Sequence, residues 1–357
     1  MIRRLFYNTF IVAVWIGIFF AFLSTPSIMR YFKKDTLNVF TWAGLADPAV
    51  FKKFEKETGI AVNVSYFGSN EELIVKLLAT QAEGYDLLIP SDYAVQFLRE
   101  HDLLQKLDKS KLPCFERIDP VFMGHYYDKN NDYSVPIEWY VLGFGVNKKQ
   151  YKIKIYASWA TVFDPAYLEG ERLGLINDCR ELLGLAIFYL YKTFRPVNVE
   201  EVCQIIQLLK NQKKYVEAYT DFRGDFLLES GNASIVIMGN SFALKSMKHN
   251  SDIEFVLPEE GTFLQTESCV IPKKSRQADK VYRLINFLLR PDIQKQNFLQ
   301  ATSLTTTKDA QFLYDEPLIG QTLKHLHRLS HRSICLFQNF FTDDQVNTIW
   351  LSFKSRS

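Results

Sequence analysis

The sequence predicts an α/β protein folded as two lobes, and three observations carry that expectation. Past the first 35 residues, short apolar β-branched runs alternate with amphipathic stretches of helical period, the pattern of strands covered by helices. The chain has 357 residues, 47% apolar and 15% aromatic, which is enough for two cores and unlike a disordered or collagen-like chain. No internal repeat, low-complexity tract or flexible linker divides it, so the lobes are expected to be joined by several ordered crossings.

In chain order, Leu37 to Phe40 is a short strand. Asp47 and Pro48 open a helix with Val50, Phe51 and Phe54 on one face, and Gly59 closes it, since glycine enters the left-handed region without a Cβ clash. Ile60 to Tyr66 is the next strand. Ser69 caps a helix from Asn70 to about Glu83, ended by Gly84. Tyr85 to Pro90 is then a buried strand that delivers Ser91, Asp92 and Tyr93 at its C-terminal end, where ligands collect in open α/β sheets. Val135 to Val146 is a long extended crossing segment, and Ser158 to Phe163 a short helix stopped by Asp164 and Pro165. Arg172 to Ile176 is a strand leading to Asn177 and Asp178, and Arg180 to Tyr191 a strongly apolar helix. A further helix runs from Asn198 or Glu200 to Asn211; Gly231 to Met238 and Glu254 to Leu257 are strand-like. Lys280 to Leu289 is a helix that Arg290 and Pro291 interrupt before Asp292 to Leu299 continues.

The leader differs from the rest. Arg3 and Arg4 precede an almost uncharged run from Leu5 to Leu23, followed by Ser24, Thr25, Pro26 and Ser27, the layout of an export signal. The run is also long enough to span a bilayer and no A-x-A site follows it, so residues 1–34 read as a signal peptide or an uncleaved N-terminal anchor. Either way the remaining chain faces the extracytoplasmic side.

Composition and motifs exclude several functions. Lys and Arg number 42 against 40 Asp and Glu, a net charge of +2 that gives no electrostatic reason for binding nucleic acid. Cys114, Cys179, Cys203, Cys269 and Cys335 are an odd set without C-x-x-C spacing, which argues against a disulfide framework or zinc ribbon and leaves at least one thiol free. The chain has no G-x-x-x-x-G-K-[ST] loop, G-x-S-x-G, H-E-x-x-H or Cys/His dyad at a recognised spacing, so neither an enzyme nor a cofactor is expected. Gly143 and Gly145 are strand glycines. His325, His327 and His331 read as part of a solvated helix, not a metal site, because only the last two share a face.

The stretches Trp42 to Val62, Tyr85 to Tyr93, Leu103 to Leu112, Asn130 to Pro136, Asp178 to Glu181 and Leu284 to Asp292 resemble the extracytoplasmic spermidine/putrescine-binding proteins of ABC importers. The resemblance keeps its order and spacing from about Leu37 nearly to the C-terminus, and "YDLLIPSDYAV", "NNDYSVP" and "LINFLLRPD" carry it most. It implies a two-lobed type II periplasmic-binding-protein fold with a ligand cleft between the lobes and crossings near Tyr140, Gln265 and Phe312. The lobes are then residues 35–140 plus 266–311 and residues 141–265 plus 312–357. It also implies a periplasmic monomer, free or tethered to the inner membrane, that closes by a hinge on a polyamine-like cation. The closed form is delivered to a permease whose ATPase is a separate subunit. A binding protein for another small solute and a periplasmic sensor without transport remain open as alternatives.

A polyamine is a set of ammonium groups on methylene stems, so its site needs carboxylates in a partly dry cleft and aromatic faces along the stem. Asp178 and Glu181 fall where the resemblance places a carboxylate pair, one helical turn apart. Glu267 stands where the family has an aspartate, and Glu138 is a carboxylate the pattern does not require. Trp42 and Tyr93 match aromatic positions, whereas Leu45, Gly239, Gln265 and Ser303 stand where rings are usual. The volume vacated at Gly44, Gly239 and Ser303 is either filled by a larger ligand or wetted by water that a stem must displace, so spermidine or a bulkier amine is expected to bind better than putrescine. Ser91, Thr220, Asn240 and Gln338 are neutral hydrogen-bonding candidates; Trp139 and Phe263 are read as core.

Overall fold

Strand β1 (Thr36–Trp42) runs parallel to β2 (Ala61–Phe67), and the helix Pro48–Thr58 between them buries Val50, Phe51 and Phe54. The local signals act as expected: Asp47 accepts the Ala49 N–H at the helix start, and Gly59 closes the end at φ 73°. Ser69 caps the next helix, Asn70–Thr80, by accepting the Glu72 N–H. That helix stops short of Glu83 because Gln81 and Ala82 already turn left-handed and the Ala82 N–H returns to the Leu77 carbonyl, closing the helix before Gly84 is reached. β3 (Leu87–Leu88) pairs with β1 and leads into the helix Asp92–Glu100.

The computed structural model describes residues 36–220, 224–320, 334–338 and 340–354. The leader and the His325, His327 and His331 run lie outside the described residues. The remaining strands are β4 (Ser134–Asn147), β5 (Leu173–Ile176), β6 (Val216–Thr220), β7 (Ile235–Gly239), β8 (Ile253–Val256), β9 (Thr262–Val270) and β10 (Ile334–Leu336). Their order is β2-β1-β3-β9-β4-β7-β5-β6, with β10 beside β9 and β8 beside β4. The expected type II two-lobed architecture is therefore present.

Strand β4 runs from one lobe into the other. Ser134 to Val141 of β4 pair antiparallel with β9 in the first sheet, and Leu142 to Asn147 pair antiparallel with β7 and β8 in the second. A core around Leu37, Phe54, Trp139, Ile285 and Phe298 serves the first lobe; one around Phe144, Trp159, Leu182, Phe188 and Phe263 serves the second. Trp139 and Phe263 are thus core residues, as read. Phe312 rests on Phe298 in the first core, which continues past the expected crossing there; among the described residues, Cys335 and Phe337 are the next to join the second core. Cys114, Cys203, Cys269 and Cys335 are free thiols.

Candidate ligand-binding site

The floor of the cleft is built by β4 and β9. Side chains alternate faces along a strand, so Glu138, Tyr140 and Leu142 share one face while Trp139 turns to the core and donates its indole N–H to the Thr305 carbonyl at 3.0 Å. A register shift between Pro136 and Glu138 inserts one residue into β4 and sets which residues face the cleft. Opposite, Gln265 pairs with Tyr140 and Glu267 with Glu138.

Loops at strand ends supply the walls. The turn after β1 contributes Trp42 to Leu45, the segment before the second helix Gly68 to Asn70, and the end of β3 Ser91. From the second lobe come Ile176 to Asp178 after β5, Glu181 on the helix Cys179–Tyr191, and Gly239, Ser241 and Phe242 after β7. Together they enclose about 1050 Å³ of empty space, partly open to solvent. Four carboxylates line it, and among the described residues no Lys, Arg or His does.

Neutral donors hold these carboxylates. Glu267 accepts the Ser91 hydroxyl at 2.7 Å on one oxygen and the Trp42 indole N–H at 2.8 Å on the other, while Asn70 donates to Ser91 in turn at 3.1 Å. Burial nonetheless pushes the Glu267 carboxyl up to about 8. Glu138 is hydrogen-bonded by the Ser303 side chain and the Leu304 backbone, yet burial, and then the nearby Glu267, raise it well above the glutamate range. Glu181 is raised by burial and by Asp178; Asp178, half-buried and also the N-cap that accepts the Glu181 N–H, is pushed up to about 6 by burial and Glu71. Asp92, behind the floor and without solvent access, is raised by burial as well. The cleft is a cluster of buried carboxyl groups, and among the described residues no cation lines it to favour their ionised forms.

Residues 49–317 match the model of the bacterial extracellular solute-binding proteins. The chain belongs to that family. A spermidine/putrescine-binding periplasmic protein of Salmonella typhimurium is 33% identical over 262 residues, 73% of this chain and 75% of that one. The putrescine-binding periplasmic protein PotF of Escherichia coli is 27% identical over 279 residues, again 73% and 75% of the two chains. Among solved structures, the spermidine/putrescine ABC transporter substrate-binding protein PotD of Streptococcus pneumoniae superposes with a TM-score of 0.75 at 25% identity, over 90% of this chain and 99% of that one.

In this extracellular solute-binding protein the structure gathers Trp42, Ser91, Glu138, Asp178, Glu181 and Glu267 around one cleft. Tyr93 reaches it from the edge: its hydroxyl donates to Asp178 at 3.0 Å and lies 3.3 Å from Glu71. Three neutral candidates stand elsewhere. Asn240 is fully buried behind the crossing, where it accepts the Val141 N–H at 3.1 Å; Thr220 ends β6 and receives the Asn177 N–H at its carbonyl; Gln338 is exposed. The lining also includes Asn70, Tyr140, Asn177, Ser241 and Phe242, which the sequence reading did not single out. Phe242 was findable, since it follows the C-terminal end of an expected strand.

Of the three positions expected to vacate volume, two have close neighbours. A Cβ on Gly239 would stand 3.1 Å from the Tyr140 ring, and Ser303 is engaged by Glu138. Gly44, left-handed at φ 87°, is the open position. At Gly239 the Tyr140 ring therefore stands where a side chain would begin.

Proposed function

We propose that this protein captures a linear polyamine of the putrescine/spermidine class outside the cytoplasm and hands it, as a closed monomer, to an ABC permease driven by a separate ATPase subunit. The observation that carries this reading is the cleft wall, four carboxylates with no lining cation. They stand as two pairs on different elements, Glu138 with Glu267 on the crossing strands and Asp178 with Glu181 at the start of a second-lobe helix. Two separated acidic pairs suit a stem bearing an ammonium at each end, and Trp42, Tyr140 and Phe242 offer rings to the stem. The relatives named for spermidine and putrescine support the same ligand class.

Native mass spectrometry of the chain without its leader should reveal a co-purified amine. Titration calorimetry with putrescine, spermidine and spermine should then give micromolar or tighter binding of at least one. Failure of all three to bind at millimolar concentration removes this reading.

A further inference from the structure

At Gly239 and Gln265 the sequence withdraws rings, and other groups stand there instead. Tyr140 covers the glycine with its ring, and it is the register partner of Gln265 across β4 and β9. Its hydroxyl donates to Gln265 Oε1, and Gln265 Nε2 donates to Glu181 Oε1. The last member fixes the direction of this chain. With a cation beside it Glu181 is ionised and only accepts, so it takes the amide N–H, and the amide oxygen is left for the phenol proton. Gln265 has no solvent access, whereas Tyr140 and Glu181 both line the cleft. With its one proton committed, the Tyr140 oxygen offers the cleft lone pairs alone.

Resting on the polyamine reading above, we infer that Tyr140 and Gln265 determine specificity at the Glu181 end of the cleft, admitting a ligand that presents N–H donors and turning away one that brings a carboxylate or carbonyl there. An ammonium beside Glu181 meets the carboxylate, the phenol oxygen and the Tyr140 ring face, three groups that each favour a cation. A ligand carboxylate meets the same groups with neither the phenol nor the amide bond free to turn toward it, and with Glu181 repelling it. Gln265 acts here as a positioning residue. It touches no ligand but holds the phenol in its acceptor state and orients Glu181.

Putrescine and 4-aminobutanoate make the decisive pair, because they share a four-carbon length and differ in whether the second end is an ammonium or a carboxylate. Calorimetry on the full chain without its leader should show the wild type preferring putrescine at least about 100-fold. Tyr140→Phe keeps the ring and removes the oxygen, and should weaken putrescine by roughly tenfold, the worth of one hydrogen bond to a charged group. Gln265→Leu frees the phenol to donate and should narrow the putrescine preference by roughly tenfold. Unchanged putrescine affinity in Tyr140→Phe, with thermal melting matching the wild type, overturns the inference even if Gln265→Leu fails to fold. An unaltered preference in a folded Gln265→Leu does so as well. If the wild type binds putrescine and both variants behave like it, only this inference falls; if the wild type binds no polyamine, it falls together with the proposed function.

Discussion

Glu138 and Glu267 face each other across antiparallel strands, paired in register on β4 and β9 and both almost without solvent access. Like charges directly opposite on a sheet repel, and here burial adds to the repulsion. Each carboxylate is met only by neutral donors, so a proton or a ligand cation is what relieves the pair.

Ligand affinity is therefore expected to rise with pH. Glu267, pushed up to about 8, is largely protonated in the empty cleft at neutral pH, and an ammonium must displace that proton. Putrescine affinity should increase between pH 6 and about 9, before the ligand's own amines begin to lose charge, and binding at pH 7 should release protons. Calorimetry in buffers of different ionisation enthalpy measures that release. A flat affinity with no proton release contradicts the assignment of the pair to the ligand.

Stability of the empty protein runs the other way. A carboxylate whose folded pKa is raised binds its proton more tightly folded than unfolded, so each step up in pH above the ordinary glutamate range costs stability until the folded pKa is passed. The melting temperature of the ligand-free protein should fall from about pH 5 to about pH 8, the upper bound set by Glu267. Saturating putrescine should flatten that slope. A ligand-free melting temperature that rises through this window is the contrary result.

Asp178 has two duties that one substitution separates. It caps the helix Cys179–Tyr191 and supplies charge to the cleft, and asparagine caps nearly as well as aspartate. Asp178→Asn should therefore keep thermal stability near the wild type while costing about 2–5 kcal/mol of polyamine binding, the range for truncated buried charge pairs. Asp178→Ala should lose about 1 kcal/mol of stability besides. Wild-type affinity in Asp178→Asn counts against a charge role.

Among the bonds between the lobes in the described residues are Arg180 to Glu71 at 2.7 Å and Tyr93 to Asp178 at 3.0 Å, neither of which needs a ligand. Together they are worth about 2 kcal/mol, roughly thirtyfold in the closed-to-open ratio. The double variant Tyr93→Phe, Arg180→Gln should show a larger radius of gyration by small-angle scattering without ligand, and should contract when putrescine is added. An identical scattering profile in all three states is the outcome that removes the latch.

Much of this molecule was legible in its residues. Asp47, Ser69 and Asn198 announce helix starts because capping is a local hydrogen bond, and the structure shows all three side chains accepting it. Asp178, Glu181 and Glu267 were found through the resemblance, which places acidic residues at those positions, and Glu138 as a further carboxylate near the first crossing. Tyr140 was not, because which of Trp139 and Tyr140 faces the cleft depends on the one-residue bulge beside Pro136, and a shift of one residue exchanges the two faces of a strand. Nor was its replacement of the ring absent at Gly239, since residues almost a hundred positions apart meet only through the pairing of β4 with β7. Gln338 was named as a neutral hydrogen-bonding candidate, and it stands exposed, outside the residues that line the cleft.

The order in which β4 finds its partners bears on when the chain can fold. Ser134 waits for Val270, so the first sheet encloses a loop of well over a hundred residues before its central pairing forms. Contacts so distant in sequence are slow to make, and during synthesis they cannot form until β9 has left the ribosome. Up to that point the nascent chain holds β1, β2 and β3 with their central partner strand still unmade. A polypeptide whose leading lobe stays incomplete through most of translation remains an extended thread for that time, and its folding barrier is crossed only once β9 is available.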